Sequence, residues 1–590
     1  MMRLAAVLLA AWLPLCALGQ GKKGRAAVKD AEGDVLLRAM SEEIERAKSL
    51  QFPNLAAPYY IEYAVDDALS FSVSASLGGL ITRRTNRFRY PRIQVRVGTY
   101  ALDNTNFILS DMAGSGGPLP LDDLLLPLRH YFWLATDSAY KSAVEIFARK
   151  RAAITNFVNP DRLDDFSRAT PTVKILPAGF QTYDEEAWVA RVRSLSRVFE
   201  SYPAVHASFV EFEIGQSYAY MVNTEGSKIR VPDHLSYLRI RAFGIAPDGA
   251  VVRDAALFQA TRPEQLPGEA ELRAAAVRVA ENVTALASAP PGENYVGPVL
   301  FEARAAAQLF AELLGRNLAL ARSPVSFPGR PAPVLQSELE GRLHARILPE
   351  FISVVDDPTL KEWKGKPLLG HYVVDLEGVT PGPLRLVDRG NLENYLLTRQ
   401  PVHGGEKSNG RARLPGVFGA KAAAISNLIV LTMAPTPAAQ LKKQFLGLIQ
   451  KQKKPYGMLV RKLDFPSTAS GDELRRLSAS LAKTGSARTV SSPLLIYKVF
   501  PDGREQLVRN LRFRNISVRA LRDIVGVSDE QYVFDFINNA APFALVGGAN
   551  YVTGSAVVAP AVLMEELEFE RQDEQQPKPP VVPPPALGAQ

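Results

Sequence analysis

The stretch FVEFEIGQSYAYMVNTEGSKIRVPDHLSYLRIRAF, residues 209–243, decides the fold class of the first half of the chain. It reads as four strands, over 209–214, 218–222, 227–231 and 238–243. Asn223-Thr224-Glu225-Gly226 supplies one turn, and Pro247-Asp248-Gly249 supplies the next. Strands that return through such short turns are antiparallel neighbours. Upstream, 60–65 and 93–97 include apolar/polar alternation, the mark of a sheet with one packed face and one wet face. Three helices accompany these strands. From Asp34, the residues Leu36, Leu37, Met40, Ile44 and Leu50 recur at helical spacing. A second helix is expected to start at Thr136 or Asp137, good N-cap residues, and to run through Tyr140, Val144, Phe147 and Ile154. A third carries Trp188, Val192, Leu195 and Phe199. The first half is therefore helix plus antiparallel meander, an α+β domain spanning 34–260.

At 590 residues the chain is too long for one hydrophobic core, and two domains of mixed α/β character are expected. An amphipathic helix over 268–288 (Leu272, Ala276, Val279, Val283, Leu286) is stopped by Ala289-Pro290-Pro291-Gly292. It reads as a linker over 261–292 or as the first element of the second domain. The second, strand-rich domain then spans 293–570. It opens with a strand at 296–301 and a helix from Ala303 to residue 318, whose Ala305-Ala306-Ala307 suits close packing. Further strands are expected at 371–376, 428–433 and 457–463, with a hairpin of 494–500 and 506–513 across Pro501-Asp502-Gly503. Helices fall near 438–450, 471–483 and 517–524. From residue 571 the composition shifts to proline (577, 579, 580, 583, 584, 585), a disordered or polyproline tail. No repeat of solenoid or propeller length is present.

The first nineteen residues have the three-part logic of a secretory signal. Met1-Met2-Arg3 is basic, 4–18 is apolar, and Ala17-Leu18-Gly19 precedes Gln20 as a cleavage site. The apolar run is too short, and broken by Pro14, for a stable membrane span. A periplasmic or extracellular location is expected, with a flexible mature N-terminus over 20–33. Cys16, the only cysteine, lies in the removed segment, so the mature chain can form no disulfide, thiolate or Cys–metal bond. The net charge is +8, but Lys and Arg are spread along the chain rather than clustered. The densest groups, Lys22-Lys23-Gly24-Arg25 and Lys451-Gln452-Lys453-Lys454, read as solvated faces, and no nucleic-acid partner is expected.

The six histidines (130, 206, 234, 344, 371, 403) never fall within five residues of one another. HExxH and close Cys/His clusters are absent, so no metal ligand is assigned. No G-x-S-x-G elbow or Walker motif occurs. Gly114-Ser115-Gly116-Gly117 reads as a loop, and Gly547-Gly548 is too short for a phosphate cradle. The polar, Gly-rich, basic loop 404–413 follows a helix-like segment at 392–397 and is more informative. Its backbone can approach a ligand closely, and two arginines could hold a peptide carboxylate. Ser408, Asn409, Gly410, Arg411 and Arg413 are the peptide-binding candidates; a bland surface loop has the same residue content.

Five segments together resemble the TldD/PmbA family. They are Gly297-Pro298-Val299-Leu300-Phe301 with the alanine-rich helix to Leu314, and His371-Tyr372-Val373-Val374-Asp375-Leu376-Glu377-Gly378-Val379, similar to the family's D-x-E-G turn. Gly390-Asn391-Leu392-Glu393-Asn394-Tyr395 follows, leading through Thr398-Arg399 to Ser408-Asn409-Gly410. Pro455-Tyr456-Gly457-Met458-Leu459-Val460 comes next, and the segment ending Ala559-Pro560-Ala561-Val562-Leu563-Met564-Glu565-Glu566-Leu567 is the last. The resemblance implies a dimeric metallopeptidase fold that takes unfolded peptide into an enclosed cleft. It also implies that an active TldD-type chain carries His-Glu-x-x-x-His on the alanine-rich helix, plus a later cysteine, as zinc ligands. Here that stretch is Ala311-Glu312-Leu313-Leu314-Gly315-Arg316. Alanine offers no lone pair and arginine brings positive charge, so only Glu312 survives of the vestigial set Ala311, Glu312 and Arg316. A glutamate on an amphipathic helix also reads as a solvated residue. Zinc, expected for the family, lacks its ligands, and no other cofactor is indicated. The chain resembles the PmbA/TldE type, which lacks the motif and pairs with an active partner.

The reading that follows is a non-catalytic subunit that grips unfolded peptide, by strand addition at a sheet edge, within a homo-dimer or a hetero-dimer with a TldD-like subunit. Its rivals are an active metallopeptidase with a rewired site of scattered ligands, and a structural envelope protein that kept the fold.

Overall fold

Serine and alanine alternating with larger apolar residues build the longest hairpin of the first domain. In the computed structural model, β1 (Pro58–Ser76) and β2 (Gly79–Val97) run 19 residues each, far beyond the segments at 60–65 and 93–97 that alternation picks out. Leu77 and Gly78 close the hairpin with φ of 44° and 72°. Two successive positive φ values give a two-residue turn whose twist matches that of the strands. The structure describes residues 33–51, 53, 55–110, 118–155, 163–327, 336–416, 418–466, 490–538 and 553–572. The expected signal peptide, the N-terminus to residue 32, the loop at 114–117, the helix at 471–483, Gly547-Gly548 and the proline-rich tail from residue 573 lie outside the described residues.

Next come β3 (Val173–Ile175), β4 (Ala207–Asn223), β5 (Lys228–Pro232), β6 (Leu235–Ile245) and β7 (Val251–Ala260). β4 is the hub. One of its edges pairs with β1, and the other is shared between β5 and β6; β7 joins β6, β3 joins β5, and β2 lies outermost. One face of this sheet packs under four helices. The helices Val35–Ala47 and Leu125–Ile154 cover Tyr63, Val65, Val95 and Val222. Glu185–Ser196 and Glu269–Ser288 cover Phe71, Phe212, Ile214 and Ile240. The helix expected as a linker thus buries Leu272, Val279 and Val283 in the first core.

The helix expected from Thr136 or Asp137 begins instead at Leu125 and runs 30 residues. Pro127 sits in its first turn, where a missing N–H breaks no helical bond. Thr136 is mid-helix: its hydroxyl donates to the Phe132 carbonyl and accepts from Tyr63. No described helix is long and apolar enough to cross a membrane.

Among the described residues the second domain is built on an eleven-stranded sheet. Its spine is Thr553–Arg571, paired with Asn427–Thr432, with Ile524–Asn538 and with β8 (Tyr295–Phe301). Beyond Asn427–Thr432 lies β9 (Ile352–Asp356); beyond β8 lie Gly457–Leu463, Pro493–Val499 and Glu505–Val508. The alanine-rich helix Ala303–Leu309 continues through Phe310–Gly315 to Arg316–Leu318 and buries most of its length, Ala305 to Gly315, in the core. The expected strand at 371–376 is a turn, because the Asp375 carboxylate gathers the N–H groups of Glu377 and Val379. The helix-like segment at 392–397 forms no helix; it is irregular chain after the short strand Asn391–Leu392. The second arm of the expected hairpin stops at Val508, and Leu511–Phe513 pairs with the spine.

Two ion pairs from β7 clasp the domains. Arg253 reaches Asp464, and Lys462, 4% exposed, donates to Asp254 and to the Ala255 carbonyl. Removing one member of a buried pair strands the other charge. Lys462→Ala is therefore expected to lower unfolding free energy by about 3–5 kcal/mol in denaturant titrations, whereas Lys462→Met with Asp254→Leu should recover most of that loss.

Candidate functional site

The alanine-rich helix changes pitch where the resemblance places the metal motif. Phe310–Gly315 forms a single π-helical turn, a distortion that recurs at functional sites. Glu312 is buried there, not solvated. Its two carboxylate oxygens accept from the Ser491 backbone N–H at 2.7 Å and the Ser491 hydroxyl at 2.6 Å. The Arg316 guanidinium lies 3.5 Å away, one turn on. Burial pushes the Glu312 carboxyl above the usual range, against the pull of Arg316 and Ser491. Ala311, also buried, packs in the apolar core.

The loop 404–413 exposes Gly404, Glu406 and Lys407 and commits its second half, 408–413, inward. The Asn409 side chain accepts from Leu397 N at 2.9 Å and donates to the Tyr395 carbonyl at 2.7 Å. The Ser408 hydroxyl accepts from Gly410 N, and the Gly410 carbonyl accepts from the Tyr372 hydroxyl. Arg411 has no exposed surface; it donates to the Asp356 carboxylate at 2.6 Å and to the carbonyls of Asn409, Asp356 and Gly382. Arg413 donates to Thr553 and to the Ile425 carbonyl, with its guanidinium 4.5 Å over the Tyr372 ring. The structure brings these five residues together as a brace for the second sheet. Neither guanidinium is presented for a peptide carboxylate.

The D-x-E-G turn meets the first domain. Asp375 accepts three backbone N–H groups, from Glu377, Val379 and Ala412. Gly378 has φ 79°, a left-handed conformation that favours glycine, and a Cβ there would come within 2.6 Å of the Met221 Cε from β4. Glu377 accepts from Arg399 N at 2.6 Å. The Arg399 guanidinium forks onto Glu225 in the β4–β5 turn, with both bonds 2.7 Å, and also donates to the Ser167 carbonyl. Phe166 is held between Arg399 at 3.9 Å and Arg96 at 3.7 Å. Burial, then Glu377, pushes the Asp375 carboxyl up to about 7, and burial raises Glu377 as well.

Beside this junction the helix-free face of the first sheet forms a shallow trough. Strand register sets Ala68 and Ser70 of β1 beside Ser217 and Gly215 of β4, a floor of small side chains. Phe88 and Tyr90 of β2 border one side. The Tyr237–Glu213 bond and the Glu211 pairs with Arg239 and Arg241 border the other. The 2.5 Å Asp66–Arg92 pair and Asp233 lie at the inner end, where Val374 of the second domain packs on Ala64 and Met221. Asp233 is open to solvent, yet surrounding protein and the Asp66 charge push its carboxyl up to about 6. Sequence reasoning missed this face. Its signal was the small residue at every second position in Leu69-Ser70-Phe71-Ser72-Val73-Ser74-Ala75-Ser76.

Residues 293–462 match the PmbA/TldA metallopeptidase C-terminal domain. Over these residues the chain carries a TldD/PmbA-family domain. Its fold is that of TldE from Thermococcus kodakarensis, at 13% identity and a TM-score of 0.56 over 90% of this chain and 100% of that one. A candidate DNA gyrase modulator from Thermotoga maritima MSB8 aligns at 13% identity and 0.52, over 86% of this chain and 96% of that chain. Another from Bacteroides thetaiotaomicron VPI-5482 aligns at 11% and 0.54, over 91% and 98%. No curated protein matches the sequence. The family implies a metal, and the residues at its helix do not fit one. Ala311 has no donor atom, both Glu312 oxygens are engaged by Ser491, and Arg316 brings positive charge. Among the described residues no three His, Cys, Asp or Glu side chains converge to hold a metal ion.

The Asp375–Glu377 turn carries a pH signature. Folding raises both carboxyl pKa values, so the folded state binds more protons and their contribution to stability falls as pH rises from about 4 to 7. Glu377→Gln keeps the acceptor for Arg399 N but removes the charge that repels Asp375. The stability of wild type relative to Glu377→Gln is expected to drop steadily across that window in denaturant titrations at several pH values.

Proposed function

We propose that this chain is a non-catalytic, peptide-binding member of the TldD/PmbA metallopeptidase family. It acts after export, in the periplasm or outside the cell, as a homo-dimer or with a TldD-like partner that carries the intact zinc motif. The observation that carries the reading is the fate of the family's helix position. Glu312 is buried and fastened to Ser491 beside Ala311 and Arg316, an arrangement that braces the core and offers nothing to a cation. The trough on the first sheet supports the peptide half of the reading. Its floor of serine, alanine and glycine leaves room for an extended chain, and its rim offers aromatic faces, carboxylates and guanidinium groups. A peptide's own amides can be met there without any reacting group.

Elemental analysis of mature protein purified without chelator tests the first half. Less than about a tenth of a zinc per chain is expected, because complete sites hold zinc tightly. Near-stoichiometric zinc that disappears in His371→Ala or His403→Ala would establish a rewired active site instead. Titration with a denatured, unstructured protein tests the second half. Saturable binding is expected, and its absence would leave a structural envelope role.

A further inference from the structure

β2 is the outermost strand of the first sheet, and among the described residues only β1 pairs with it. Its inner end is covered, since Gln94 and Arg96 both donate to the Gly419 carbonyl of the second domain. Among the described residues, 79–88 have no such cover; Arg89 is buried against the Pro120 carbonyl and Asp123. A long uncovered edge is a template for another strand, and proteins ordinarily blunt it. Here the edge keeps large apolar side chains in water: Leu80 is 45% exposed, Ile81 51%, Phe88 46% and Tyr90 39%.

The pairing shows which peptide groups are available. Pro91 lies opposite Val65 and has no N–H to give β1. The register is unbroken from Thr82 to Arg96, so Arg83, Thr85 and Arg87 share the parity of Pro91 and turn their N–H and C=O groups outward.

The charge of the strand selects the occupant. Residues 79–97 contain Arg83, Arg84, Arg87, Arg89, Arg92 and Arg96 and no acidic residue. Acids from the inner side meet several of them: Glu185 and Glu186 pair with Arg83, Asp67 with Arg87 and Arg89, and Asp123 with Arg89. Arg84 has no ion-pair partner among the described residues. A second copy of β2, laid antiparallel, would set arginine against arginine in nearly every register, and like charges across a ladder repel. We infer that the outer edge of β2 over residues 79–88 receives an extended acidic segment as an added strand. Outward peptide groups supply the bonds, the exposed apolar side chains supply contact, and Arg84 supplies selection by charge. This inference rests on the peptide-binding reading above and adds to the trough an edge that an extended chain can join.

The test uses full-length mature protein and two labelled probe peptides about ten residues long, alternating valine with glutamate or valine with lysine. Fluorescence anisotropy should show the glutamate probe binding at least about tenfold tighter than the lysine probe, with the gap closing at high salt. Thr85→Pro removes an outward N–H without breaking the ladder to β1, and Arg84→Glu reverses the selecting charge. Each should weaken the glutamate probe at least about tenfold while thermal unfolding stays close to wild type. If Thr85→Pro fails to fold, Arg84→Glu alone decides. Equal affinity for both probes, or unchanged binding by Arg84→Glu, overturns the inference. So does a concentration-dependent dimer that Thr85→Pro dissolves while no probe binds. If a denatured protein binds wild type and both variants alike, the edge is wrong and the peptide-binding reading survives. If nothing extended binds the wild type, both fall.

Discussion

The fork between Arg399 and Glu225 is the interaction on which the arrangement of the two domains depends. Arg399 is fully buried, so its charge has left water and must be met completely. Glu225 meets it from a turn of the first sheet, the Ser167 carbonyl meets it from the segment after the long helix, and Phe166 lies flat beneath it. Its own backbone N–H holds Glu377, and Glu377 leads into the turn built by Asp375. One arginine thus ties three separate stretches of chain. Such a pair need not add net stability over apolar packing of the same shape, but it tolerates only one geometry. That intolerance defines the trough, whose inner end lies where the second domain meets Ala64 and Met221.

The parts of this fold that were legible in the sequence are those governed by local chemistry. The turns at Asn223-Thr224-Glu225-Gly226 and Pro247-Asp248-Gly249 announced the meander because turn residues state their backbone conformation directly. The helix over 438–450 and the strand over 457–463 followed from periodicity. The start of the helix at Leu125 did not, because a run of apolar residues masks the period and Thr136 mimics a cap while bonding within the core. The turn at 371–376 looked like a strand because its β-branched residues carry the right propensity. A side-chain carboxylate capturing backbone N–H groups overrides that propensity, and no window of sequence shows the capture.

The candidate site divides along the same line. The chemical argument about Ala311, Glu312 and Arg316 needed only residue types. The loop 404–413 was harder. Its glycines, serine, asparagine and arginines have the composition of a ligand loop and equally of a brace, since both need donors and close backbone approach. Long-range partners settle which it is here: Asp356 and Thr553 lie far away in sequence and take the arginines from behind. The trough was legible only in retrospect, as every second residue of β1 shrinking to serine or alanine. A packed face explains the large residues of such a pattern, and the small ones acquire meaning once a second domain is seen to stand over one end of them.

The turn between β4 and β5 closes an antiparallel hairpin and, through Glu225, anchors one domain to the other. Hairpin loops are ordinarily where evolution adds and removes residues most freely. In this loop one extra residue could leave the hairpin intact and still carry the carboxylate out of reach of Arg399. The length of an unremarkable surface turn is therefore fixed by a bond in the interior, and lineages of this fold that keep the arginine should keep that loop to the residue.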